Sequence, residues 1–68
     1  MNFMIDFEQE ADGRWLAEID DLPGVMVYGK TKLEAMAKVQ ALALRVVADR
    51  LEHGESTPEG LSLSFQAA

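Results

Sequence analysis

Sixty-eight residues allow one small domain spanning 1–68 and exclude a second. A chain that is 49% hydrophobic and 26% charged is too apolar for a disordered tail, and without cysteine it has neither disulfides nor thiolate metal sites to reinforce a small core, so a homodimer or higher homo-oligomer is the expected support. Its charge of −6 is concentrated in residues 1–21, where Asp6, Glu8, Glu10, Asp12, Glu18, Asp20 and Asp21 face Arg14 alone; such a patch repels phosphate backbones and argues against direct nucleic-acid binding.

In chain order, Phe3, Ile5 and Phe7 alternate with Met4, Asp6 and Glu8, which predicts a half-buried strand over 3–9. Glu10-Ala11-Asp12-Gly13 reads as a hairpin turn, followed by a second strand over 14–20 with Trp15, Ala17 and Ile19 on one side. Asp21-Leu22-Pro23-Gly24 has the makeup of a type II turn, and Val25 to Tyr28 supplies a short third strand ended by Gly29. Thr31-Lys32-Leu33-Glu34 is a capping box, opening a helix from about Lys32 to His53 with Gly54 placed for a left-handed cap. A polar loop over 55–60 then leads to a fourth strand in which Leu61, Leu63 and Phe65 alternate with Ser62, Ser64 and Gln66.

The predicted order is βββαβ. A meander followed by a right-handed crossover places the fourth strand beside the first, giving an α+β domain with a four-stranded mixed sheet in the order 3-2-1-4 and one long helix on one face. The strand residues expected to face the helix are Phe3, Ile5, Phe7, Ala17, Ile19, Val25, Val27, Leu61, Leu63 and Phe65. On the helix, Leu33, Met36, Ala37, Leu44, Val47 and Leu51 form the stripe expected to meet them.

More apolar surface is present than one core uses. Ala35, Val39, Leu42 and Val46 widen the helical arc, and Met4, Leu16, Met26 and Tyr28 lie among the acids of the sheet's outer face. Val39, Leu42 and Val46, with Met4, Leu16, Met26 and Tyr28, are therefore the expected oligomer interface.

Gly24 to Thr31 fits the phosphate-loop spacing GxxxxGK[ST], but Val25-Met26-Val27-Tyr28 has the makeup of an extended strand, which cannot wrap its amides around a phosphate. His53 is the single histidine, too few for a zinc site and suited to capping the helix end. Asp6, Glu18 and Asp20 are adequately explained as a solvated strand face, and Ser56, Ser62 and Ser64 lack a nucleophile context. No catalytic, metal or cofactor site is expected. The broken apolar stretches and acidic N-terminus fit neither a membrane span nor a signal peptide, so a cytoplasmic location is expected.

Asp21-Leu22-Pro23-Gly24, followed by Gly29-x-Thr31-x-x-Glu34-Ala35 and preceded by Gly13-x-Trp15, resembles the HicB-like antitoxin family over roughly residues 3–65. The resemblance implies a partial RNase H-like fold and inhibition of a small, basic, mRNA-cleaving toxin of the HicA type by occlusion of its active surface. Val25 stands where a cysteine is common in the family. Members usually carry a C-terminal helix-turn-helix or ribbon-helix-helix module, whereas only Gln66-Ala67-Ala68 follows Phe65, so operator binding is not implied. RNase H chemistry wants an acid on the fourth strand, which offers Ser62 and Ser64, so no nuclease activity is expected.

The expected function is thus a non-enzymatic antitoxin-like module, with Asp6, Glu8, Glu10, Asp12 and Trp15 binding the toxin. The alternative is a solitary homo-oligomeric domain with a structural or small-ligand role and no toxin.

Overall fold

Alternating apolar and polar side chains suit a strand with one dry face. In the computed structural model, which describes residues 1–54 and 61–68, they produce β1 (Asn2–Gln9), β2 (Trp15–Glu18) and β3 (Met26–Gly29), followed by α1 (Lys32–Glu52) and β4 (Ser64–Ala67). The sheet order is β3-β2-β1-β4, with β1 antiparallel to β2, β2 antiparallel to β3, and β1 parallel to β4. The chain is therefore α+β, a four-stranded mixed sheet with one long helix, in the order expected. β1 divides its pairing: residues 6–9 meet β2 on one side, while residues 2–5 meet β4 on the other.

Local chemistry shapes the connections. In the first turn the Glu10 N–H donates to the Arg14 carbonyl at 2.8 Å and the Gly13 N–H to the Glu10 carbonyl at 3.0 Å. In the second, the Val25 N–H donates to the Leu22 carbonyl at 3.0 Å around Pro23 and Gly24, and Gly24 takes φ 84°, the left-handed corner of a type II turn. Thr31 caps α1, its Oγ1 accepting from the Glu34 N–H at 3.0 Å. Only that arm of the capping box forms: the Glu34 carboxylate engages Lys38 Nζ at 3.0 Å and the Lys30 backbone in place of the Thr31 N–H. At the other end the His53 N–H donates to the Asp49 carbonyl at 3.1 Å, His53 Nδ1 donates to the same oxygen at 2.8 Å, and Gly54 follows at φ 70°.

The face of α1 that meets the sheet shares Met36, Val47 and Leu51 with the expected stripe but differs from it in the rest. Ala35, Val39, Ala43 and Val47 are its buried residues, and Met36, Leu42, Val46 and Leu51 are half-buried against the core. Of the three helix residues expected at an oligomer interface, Val39 is 0% exposed and so offers nothing to a partner, while Leu42 and Val46 are half-buried against the core. Conversely Leu33, Ala37 and Leu44, expected inside, are exposed, Leu33 at 79% and Leu44 at 51%. The cause lies at the start of the helix. α1 packs chiefly on β3 and β2, and Gly29 lets the backbone at Ala35 come so close that only a row of small side chains at i, i+4 spacing fits beneath.

The sheet and the residues that flank its strands supply Phe3, Ile5, Ala17, Ile19 and Val25 as buried partners, with Phe7, Trp15, Val27, Leu63 and Phe65 packed around them. Leu22, within the second turn, is also buried, a core contribution that its turn context concealed. β4 begins at Ser64 instead of near Leu61, which is exposed; Phe65 alone of that strand packs inward, its ring centroid 5.9 Å from that of Phe3. The polar loop expected over 55–60, including Ser56, lies outside the described residues.

Candidate protein-binding face

Among the described residues, no layer lies over the side of the sheet turned away from α1. On that side the period-two geometry places Met4, Asp6 and Glu8 of β1, Leu16 and Glu18 of β2, and Met26 and Tyr28 of β3. The register sets these in rows: Glu8 opposite Leu16 opposite Tyr28, and Asp6 opposite Glu18 opposite Met26. Leu16, Met26 and Tyr28 thereby form one apolar patch beside the carboxylates. Met4 belongs two rows from Leu16, next to Gln66 of β4, with the Asp6–Glu18 row between.

Asp6 directly opposite Glu18 is a like-charge cross-strand pair, an arrangement that lowers sheet stability by a few tenths to about 1 kcal/mol. Glu18 thus joins this face although it is not among the residues expected to bind a partner. The signal was present, since alternation puts Glu18 on the same face as Leu16, but the pairing partner of Glu18 is a matter of register.

Of the expected partner residues, Asp6 and Glu8 stand exposed on this face and Glu10 lies at its edge, receiving a long hydrogen bond of 3.4 Å from the Tyr28 hydroxyl. Asp12 is engaged within its own turn: its carboxylate accepts from the Arg14 N–H at 3.1 Å and from Arg14 Nε at 2.7 Å, and these bonds hold its pKa below the ordinary value of 3.8. Arg14 in turn lies over the Tyr28 ring, 4.4 Å from its centroid. Trp15 does not join the acids. It is half-buried on the opposite face, packed against the core, with Lys32 Nζ 5.7 Å from its ring centroid and 4.8 Å from that of Phe7. An odd position on β2 faces the helix, which removes Trp15 from the acidic surface.

Residues 26–29 of the phosphate-loop spacing pair with β2, so their amides run along a ladder and do not converge on an anion. Among the described residues no three His, Asp or Glu side chains are grouped to hold a metal ion. A cavity of about 220 Å³ between Arg14, Tyr28, Lys30, Glu34 and Lys38 is rich in cations. Arg14 is already paired with Asp12, however, and Lys38 with Glu34, whose own pKa the Lys38 ammonium and then the Lys30 backbone hold below its ordinary 4.5. No described helix is long and apolar enough to cross a membrane. The chain matches no family model, no curated protein and no solved structure.

Proposed function

We propose that this chain is a cytoplasmic, non-enzymatic, HicB-like antitoxin module that masks a small basic mRNA-cleaving toxin with its open sheet face. The observation that carries this reading is the Asp6–Glu18 pair beside Leu16, Met26 and Tyr28. Two carboxylates held directly opposite one another are costly in the free protein, and a partner's cation docked between them relieves that cost. The adjoining apolar patch supplies the desolvated anchor that a charged rim lacks, with Tyr28 the aromatic member. Glu8 and the acids around it then steer a basic partner toward the face.

Co-expression with a short basic protein encoded beside this chain tests the reading. Growth rescue and a stable co-purifying complex are expected, and reversal of Glu8 and Glu18 to Lys should slow association at low salt by about tenfold or more. An unchanged rate removes the electrostatic part. Absence of both toxicity and complex favours the second reading, a solitary homo-oligomer with a structural or small-ligand role, for which the exposed Leu33 and Leu44 speak.

A further inference from the structure

β3 is an outer strand: β2 pairs with it on one side, and among the described residues no strand lies on the other. The ladder fixes which backbone groups are left over. The Ile19 N–H donates to the Val25 carbonyl at 3.1 Å, and the register carries the same parity on to Val27 opposite Ala17 and Gly29 opposite Trp15, so these odd positions turn their amides and carbonyls toward β2. Met26 and Tyr28 turn theirs outward. Of those groups only the Tyr28 carbonyl has a partner among the described residues, Lys38 Nζ at 3.4 Å, and an oxygen with two lone pairs can accept a second donor. Lysine is a common guard of exposed strand edges, but here it covers the Tyr28 carbonyl and leaves both amides and the Met26 carbonyl open.

Cations gather along the same edge. Arg14, Lys30 and Lys38, half of the chain's 6 lysines and arginines, line the cavity of about 220 Å³ beside Tyr28. Asp12 pairs with Arg14 and Glu34 with Lys38, whereas Lys30 lies outside both pairs. Glu10 stands off at the Tyr28 hydroxyl, at the tip of the ring, and does not line the cavity. We propose that this edge of β3 receives an extended acidic segment of a partner protein, which adds a strand to the sheet through Met26 and Tyr28 and sets a carboxylate side chain into the cation-lined cavity. Side chains directly opposite in a ladder share a face, so a glutamate or aspartate opposite Tyr28 arrives on the side where Arg14 lies 4.4 Å from the ring centroid. Main-chain bonds supply affinity with little regard to sequence, and the carboxylate supplies the choice. The sign of the charge selects the occupant. A basic segment would bring like charges together here, so this partner differs from the one that the acidic open face suits.

The proposal does not rest on the toxin reading, and its failure leaves the acidic face untouched. Two end-blocked hexapeptides test it, one alternating glutamate with valine and one alternating lysine with valine, each titrated into the isotope-labelled full chain and followed by NMR. The glutamate peptide should shift the amide signals of Met26 and Tyr28 and slow their exchange with solvent, and the lysine peptide should bind about tenfold more weakly or worse. Met26→Pro removes an outward donor that β2 does not use, so it should keep the fold and lose the peptide. If Met26→Pro unfolds, Lys30→Glu, which lies outside every strand and helix, reads the same site and should weaken glutamate-peptide binding about tenfold. A glutamate peptide that leaves both amides unmoved overturns the proposal, as does a lysine peptide that binds equally well. So does a peptide-free chain whose Met26 and Tyr28 amides become protected as its concentration rises, because a second copy would then hold the edge.

Discussion

A Cβ placed on Gly29, the last residue of β3, would lie 2.5 Å from the backbone nitrogen of Ala35 and 2.9 Å from its Cα. These are backbone atoms in the first turns of α1 and cannot swing aside as a side-chain tip can. Gly29→Ala should therefore destabilise the fold by about 3 kcal/mol, at the upper end of overpacking costs, by driving the helix off the sheet. Gly24→Ala meets no atom within 4 Å and carries only the penalty of φ 84°, about 1 kcal/mol. Urea unfolding of the two variants measures the difference, and equal losses would mean that the helix does not approach β3 as closely as described.

The two faces of α1 should answer truncation differently. Val39→Ala empties space in a fully buried position and should cost about 2 kcal/mol. Leu44→Ala, measured at concentrations where the chain is monomeric, should change stability by less than about 0.5 kcal/mol although it removes more carbon. Denaturation midpoints in the reverse order would restore the stripe first expected to face the sheet.

The helix start depends on one hydroxyl. Thr31→Ala should cost about 1 kcal/mol, and Thr31→Ser should recover most of it, because the serine oxygen can still accept from the Glu34 N–H. Thermal melts of the two variants separate capping from simple loss of the Thr31 methyl group.

Asp12 and Glu34 titrate below their ordinary 3.8 and 4.5 in the folded chain, held down by Arg14 and by Lys38 with the Lys30 backbone. A carboxyl whose folded pKa is depressed lends stability that is fully present above its unfolded value and is lost as pH falls through the folded one. Both side chains sit in solvent, so the contribution is small; it is fully present near neutrality and is lost only on the acid limb, below about pH 4.5. A chain carrying Asp12→Asn and Glu34→Gln should show a shallower fall in melting temperature on acidification, and an identical acid limb would mean the contacts lend nothing.

Much of the architecture was legible in the residues because its causes are local. Strand alternation, Pro23-Gly24, Thr31 and Gly54 each act over a few positions, and the elements they delimit lie where expected, with β2 and β4 shorter than their alternation implied. The open sheet face was partly legible as well. Period two puts Met4, Asp6, Glu8, Leu16, Met26 and Tyr28 on one side, whereas the juxtaposition of Asp6 with Glu18 and the distance of Met4 from Leu16 required the register.

The sequence by itself determined which segments become strands and helix, how the turns close and in what order the strands pair, because spacing and turn chemistry are properties of neighbouring residues. It offered two apolar arcs on α1 and no means of ranking them, since hydrophobicity alone favours the bulkier leucines of the outer one. Only the tertiary structure decided, through the contact of Gly29 with Ala35. A helix seated that close to the sheet has room for alanine and valine beneath it, and the leucines are left facing outward.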